Sequence, residues 1–329
     1  MSPRLAGYAA AAVTIAIWTC FIVIARASAQ RTLGPFDLAL ARIVGASLVL
    51  IPWGWWLVRQ GGGRQPRSLF GLSPLSLRLT ALTGSFGGLG YALLVYSGFF
   101  YAPATHAAVL LPGSLPLWTT LLAALLLHDR ITPARAVGLV LILAGDLLVG
   151  GASLLRAFDG GEVWKGDLLF MGAALCWAVY TVLARRHGID PVKSTIAITV
   201  FAFCTYVPAY ALLTASDLLP SRLSRAAPSE VVFHMLFQGL GSVVISGMTF
   251  MKMIQYFGPV RSTMMTAVVP GLSALGAVLL LDEPLHWNLL AGLALVTAGI
   301  VFGVRRAVAP GPAPALHPAG ATATCAKGP

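Results

Sequence analysis

Charge is scarce in this chain. Only 10% of its 329 residues are Asp, Glu, Lys or Arg, against roughly 25% in an ordinary soluble domain. Its 22 Lys and Arg and 11 Asp and Glu are too few to cover a soluble protein of this length, so a water-soluble fold is excluded. Cysteine is equally sparse, with four residues in all. Cys20, Cys176 and Cys204 lie inside apolar runs and Cys325 in the carboxy-terminal stretch, a spacing that offers neither a disulfide framework nor a zinc site. No cofactor or metal is therefore expected. A Gly-rich phosphate loop ending in Lys-Ser or Lys-Thr is also missing, which excludes ATP drive within this chain.

What remains is apolar. Hydrophobic residues make up 57% of the chain and the mean hydropathy is +0.83. The net charge of +11 does not indicate nucleic-acid binding, which needs a basic stripe on a folded face. Here the basic residues fall between long apolar runs, the layout of loops beside a membrane.

A membrane-crossing helix needs about 20 apolar residues. Ten such runs are separated by Gly, Pro or charged breaks, near 6–26, 36–58, 79–100, 104–126, 133–152, 166–186, 193–215, 231–254, 260–281 and 286–305. The first follows Arg4 and is longer than a signal-peptide core, so it reads as a retained span. Breaks at Ala102-Pro103, Gly258-Pro259 and Asp282-Glu283-Pro284 are short enough to make antiparallel hairpins; only 59–78 and 216–230 have real length. Residues 307–329, rich in Pro and Ala, read as a disordered tail. With the amino terminus inside, inner loops hold 15 basic residues, among them Arg59, Arg64, Arg67, Arg78, Arg185, Arg186, Lys252 and Arg261. Outer loops hold six. Both termini are therefore expected in the cytoplasm.

The chain also repeats itself. At an offset of 159, Gly7 falls on Gly166, Trp18 on Trp177 and Ala25-Arg26 on Ala184-Arg185; at 158, Pro112-Gly113 falls on Pro270-Gly271. At 154, Asp129, Gly138 and Gly145 fall on Glu283, Gly292 and Gly299. The slip of four is about one helical turn, which keeps the faces of the last two spans. This is a duplicated five-helix unit, 1–152 and 153–306. Five is odd, so the second copy enters the membrane inverted, as in transporters whose halves rock about a central site. The expected fold is all-α: a polytopic membrane protein of ten transmembrane helices in two inverted five-helix repeats.

At this point the chain resembles the ten-helix EamA-type transporters of the drug/metabolite transporter superfamily. The resemblance covers residues 5–306. It rests on the duplicated layout, on Leu33-Gly34-Pro35-Phe36 leading to Arg42, on Pro112 and Pro270, and on the acidic hairpins Asp129-Arg130 and Asp282-Glu283-Pro284-Leu285. It departs in having Asp129 where the family carries glutamate and in lacking a second-half counterpart of Arg42. The resemblance implies an exporter of small metabolites, with amino acids the expected class and the aromatic amino acid exporters of the YddG type the functional model. Access would alternate around a midplane cavity framed by spans 1, 3, 4, 6, 8 and 9, with spans 5 and 10 in support.

Several residues are candidates for substrate contact. Trp18 lies about 18 Å from the start of its span and Trp177 about 16 Å from the start of its own, which places both near mid-depth. Tryptophan favours the interface, so this pair suits either a cavity wall or packing between helices. Tyr91, Tyr96 and Tyr101 would line a path toward the outside, with Tyr101 equally suited to interface anchoring. Gln238, about 10 Å from the outer face, could bind a polar substrate or a neighbouring helix. His106 could titrate near neutral pH or be a capped histidine. His106 and Asp146, the one acid well inside a span, are the candidates for proton coupling. Arg42 is expected to pair with Asp37 or helix-end carbonyls. Pro112 and Pro270 each remove a helix hydrogen bond and are hinge candidates. The run Gly84-Ser85-Phe86-Gly87-Gly88-Leu89-Gly90, like Gly239, Gly241, Ser246 and Gly247 in the second half, permits close helix approach.

The expected partners are a small-molecule substrate, membrane lipid and protons, with no nucleic acid, for a monomer or homodimer. A different reading is an integral-membrane enzyme acting on lipid or a small hydrophobic substrate, with His128-Asp129 as its only adjacent acid–base pair. A passive channel fits less well, because rings of like charge are missing.

Overall fold

The computed structural model describes residues 3–60 and 68–305. Among them the regular structure is helical, with no strand. The expected tail over 307–329, and Arg64 and Arg67, lie outside the described residues.

The helices are α1 (Pro3–Ala29), α2 (Pro35–Gln60), α3 (Leu77–Thr83), α4 (Tyr91–Tyr101), α5 (Ala104–Leu127), α6 (Pro133–Arg156), α7 (Val163–Arg186), α8 (Pro191–Ala215), α9 (Pro228–His234), α10 (Ser246–Thr266), α11 (Val269–Leu281) and α12 (Trp287–Arg305). α3 and α4 are one membrane span joined by a π-helical segment, Gly84–Gly90; α9 and the part of α10 up to Gly258 are another, joined by a π-helical segment at Met235–Ile245. The starts are written locally. Proline opens α2, α6, α8 and α9, where its missing N–H costs nothing. Thr132 accepts from the Arg135 amide at 3.3 Å and Asp190 from the Lys193 amide at 3.0 Å, satisfying first-turn donors. Large apolar side chains such as Leu125, Val140, Leu147, Leu279 and Leu280 are exposed on the outside of the bundle, as a surface against lipid requires.

Three spans differ from the expected pattern. The third and eighth, expected as ordinary helices, each carry a π insertion instead. The ninth, expected as one helix over 260–281, is in two pieces. α10 continues through a kink at Gly258, which adopts φ 77°, and ends at Thr266; α11 then starts afresh with Pro270 in its first turn. Pro270 therefore opens a helix, whereas Pro112 lies inside the uninterrupted α5.

The contacts establish the inverted two-fold. α6 and α12, the fifth helix of each repeat, pack antiparallel, with Gly138 facing Gly299 and Gly145 facing Gly292. Because Gly138 corresponds to Gly292 and Gly145 to Gly299, each of these contacts is the image of the other. A Cβ added to Gly299 would stand 2.6 Å from the Gly138 carbonyl oxygen, and one on Gly145 2.7 Å from that of Gly292, so the two backbones touch. The hairpin corners match as well. His128 and Asp282 end α5 and α11 in the left-handed region, at φ 56° and 53°. The amides that follow, of Asp129 and Glu283, bond to the carbonyls of Ala123 and Ala277, both at 3.3 Å. One end of the bundle gathers the turn at 102–103 and Glu283; the other gathers Asp129 and the end of α7.

Candidate functional site

The two midspan tryptophans occupy equivalent settings. Trp18 on α1 packs against Phe250 on α10, with ring centroids 5.0 Å apart. Trp177 on α7 packs against Tyr91 on α4 at 5.1 Å and against Tyr180 at 5.1 Å. Phe250 and Tyr91 are themselves 159 residues apart, so the two aromatic pairs are two-fold images. All four rings are half-buried. Each tryptophan thus ties the first helix of one repeat to the third span of the other, along the line where the halves must shift if they rock. Beside the first pair, the hydroxyls of Thr14 and Thr249 meet at 2.8 Å.

The π segments lie where these helices meet. In the third span, Gly84, Gly87 and Gly88 are pressed against Phe201, Tyr180 and Ile198, leaving no room for a Cβ. In the eighth, Gly239 lies against the backbone of Gly45 and Ala46 on α2. Gly84, Gly87, Gly88 and Gly239 therefore serve close helix approach, whereas Gly247 has nothing within 4 Å of an added Cβ and Gly241 meets only the Leu236 carbonyl oxygen at 3.5 Å. π turns also widen a helix, and they recur at functional sites.

Next to the second of these segments lies the centre's one arginine. Arg42 donates from one guanidinium nitrogen to the Gln238 carbonyl at 3.3 Å and to the Ser242 hydroxyl at 3.0 Å, both within the π segment. Its guanidinium sits 5.5 Å from the centre of the Phe21 ring and within electrostatic reach of the Tyr91 and Tyr96 phenols. Tyr96 is fully buried, edge-on to Phe21 at 6.1 Å. The Gln238 side chain is fully buried too, and neither its amide oxygen nor its nitrogen has a hydrogen-bond partner. The expected partner of Arg42 is corrected here. Asp37 instead accepts from the amides of Gly34 and Arg222 at 2.8 and 3.1 Å, from Ser221 at 3.1 Å and from Tyr210. Its lone pairs are committed to closing the start of α2.

The remaining candidates stand apart from this centre. His106 bonds through Nδ1 to Asp167 at 2.9 Å, and Asp167 also accepts from Ser153, so the trio ties α5, α6 and α7 together. Asp146 is buried between α5 and α6, where it accepts from Ser114 at 3.1 Å and its other oxygen is unpartnered. Tyr101 is exposed at the end of α4 with the Lys165 ammonium 5.7 Å from its ring, the setting of an interface anchor. A surface hollow lined by Tyr210, Thr214, Ser221 and Leu223 includes none of the nominated residues. His128 is spent as the left-handed cap of α5, and Asp129 pairs with Arg185 at 2.6 Å. The acid–base pair that an enzyme reading would use is thus part of a hairpin corner, with Asp282-Glu283 as its image. Among the described residues no cluster of His, Cys, Asp and Glu could hold a metal.

Two groups escaped the sequence reading. Arg42 was assigned a structural partner, although a cation within a span is a functional candidate by default. The pairing of Arg26 with Glu283 carried no local signal, since the two residues are brought together only by the fold.

Comparison with known proteins agrees with this architecture. The model of the EamA-like transporter family matches residues 5–151 and 164–305. The chain is 30% identical over 131 residues to the uncharacterized transporter YyaM of Bacillus subtilis, a match spanning 38% of this chain and 43% of that protein. It is 27% identical over 248 residues to the aromatic amino acid exporter YddG of Ancylobacter novellus, covering 71% and 74% of the two chains. A solved crystal structure superposes with a TM-score of 0.55 at 24% identity, over 93% of this chain and 98% of that one, which supports the fold.

Proposed function

Because this chain belongs to the EamA-like transporter family, we propose that it is a secondary transporter exporting small amphipathic metabolites, amino acids first, by alternating access between its two repeats. The observation that carries this reading is the two-fold pair of aromatic contacts, Trp18 with Phe250 and Trp177 with Tyr91. They join the repeats at mid-depth, where a rocking motion must remake contacts and where a flat or apolar side group could stack. Similarity to a protein named as an aromatic amino acid exporter supports the same substrate class. The excess of basic residues in the loops at the Asp129 end supports an orientation with that end in the cytoplasm. The driving force is the substrate gradient or a proton gradient.

The test is counterflow in proteoliposomes of the purified protein, screening labelled amino acids, nucleobases and sugars. The expected result is saturable exchange of amino acids, reduced about tenfold or more in Trp18→Ala or Trp177→Ala and largely kept in Trp177→Phe, which preserves a ring. Exchange of sugars or nucleobases alone would remove the amino-acid reading. Exchange of no solute would remove the transporter reading.

A further inference from the structure

We propose that Arg42 and Gln238 form the seat for the carboxylate of the transported molecule, an inference that rests on the transporter reading and names the group this site recognises. A guanidinium within a membrane span is costly unless an anion balances it. Among the described residues Arg42 has no such anion. Among the described residues no Asp or Glu oxygen lies within 4.0 Å of it, and Asp37, the nearest acid in sequence, has its oxygens occupied by Gly34, Ser221, Arg222 and Tyr210. The neutral oxygens of Gln238 and Ser242 engage one nitrogen of the guanidinium. They orient the fork without neutralising it.

Gln238 supplies the second, independent observation. Its side-chain amide is fully buried with both ends unpartnered, a state that is costly unless a ligand or water fills it. Its own backbone carbonyl accepts from Arg42 at 3.3 Å, so the unused amide belongs to the very residue that the unneutralised cation on α2 engages. The amide nitrogen can donate to a carboxylate that Arg42 grips, while the amide oxygen can accept from an ammonium group next to it. One cation with neutral donors matches a single negative charge better than a phosphate dianion, and the other basic group on this span, Lys252, lies toward its far end. Phe21, 5.5 Å from the guanidinium, and Tyr96, edge-on to Phe21 at 6.1 Å, offer rings to the rest of the molecule.

The experiment is competition against counterflow of labelled L-phenylalanine in proteoliposomes, using 3-phenylpropanoate, its carboxamide 3-phenylpropanamide, and phenyl phosphate. For the wild-type protein the carboxylate is expected to compete at about tenfold lower concentration than the carboxamide and the phosphate, as loss of one charge-assisted contact predicts. Arg42→Gln is expected to abolish that preference. Equal competition by acid and amide in the wild type, which needs no variant to fold, would overturn the seat, as would an Arg42→Gln protein that still discriminates. Stronger competition by phenyl phosphate would overturn the single-charge assignment. Exchange confined to solutes without a carboxylate also overturns the seat but keeps the transporter. No exchange of any solute overturns the transporter reading itself.

Discussion

Arg26 and Glu283 form an ion pair at 3.4 Å that is the two-fold image of the pair between Arg185 and Asp129 at the opposite end of the bundle. Each joins the last turn of a repeat's first helix to the final hairpin of the other repeat. The two differ in burial. Glu283 is 8% exposed and also accepts from the amides of Ala104 and Thr105 at 2.8 and 2.9 Å, so it caps α5 as well. Asp129 and Arg185 are 27% and 60% exposed.

That difference sets unequal costs. Glu283→Gln leaves Arg26 without its counter-charge and weakens the cap, and should destabilise by about 1–3 kcal/mol. Asp129→Asn breaks a solvated pair and should cost under about 1 kcal/mol. Thermal unfolding of both variants in the same detergent checks this; equal midpoints would mean that the cap on α5 contributes nothing.

The glycine seam between α6 and α12 makes a sharper demand. A methyl group on Gly145 or Gly299 meets an opposing carbonyl oxygen at 2.7 or 2.6 Å, backbone that cannot give way cheaply. Gly145→Ala and Gly299→Ala should each destabilise by about 1–3 kcal/mol. Gly151→Ala, on the same helix with nothing within 4 Å of the added carbon, should be neutral or stabilising by up to about 1 kcal/mol. Unfolding midpoints that fall alike for all three variants would contradict the contact pattern.

The ten spans and the inverted repeat were legible in the sequence because both are written in local signals: apolar runs of membrane length, and Trp, Gly and Pro recurring at constant offsets. Glu283 facing Arg26 and Arg42 reaching Gln238 were not. The latter contact joins residues 196 apart and depends on a π segment that no periodicity announces. Asp37 looked like the partner of Arg42 because it is five positions away on one helix. Its oxygens are taken by Ser221 and Arg222 from a distant loop, which only the fold brings near. Trp18 and Trp177 were found from their spacing, yet their partners Phe250 and Tyr91 emerged from the packing.

Orientation can be tested independently of transport. The excess of Lys and Arg on the Asp129 end predicts that this end faces the cytoplasm. A cysteine placed at His187, in the exposed turn after α7, should be protected from a membrane-impermeant thiol reagent in intact cells, and one at Phe158, exposed at the other end, should react. The reverse pattern would invert the proposed direction of the whole bundle.

Proton coupling, if the transporter uses it, should run through Asp146 rather than His106. His106 is held by Asp167, which Ser153 also engages, so its role is to join three helices. Asp146 is a buried carboxyl with one hydroxyl partner and one unpartnered oxygen, set against Gly113, the residue after Pro112 in α5. A carboxyl kept in the apolar interior with so little support is costly to retain for structure alone. Asparagine preserves the shape and the bond to Ser114 while removing the titrating group. Asp146→Asn should therefore keep counterflow, in which no net proton moves, close to the wild-type rate, and should lose any acceleration by an imposed pH gradient. His106→Gln should keep that acceleration. If Asp146→Asn retains it and His106→Gln does not, the assignment is reversed; if both retain it, neither residue carries the proton.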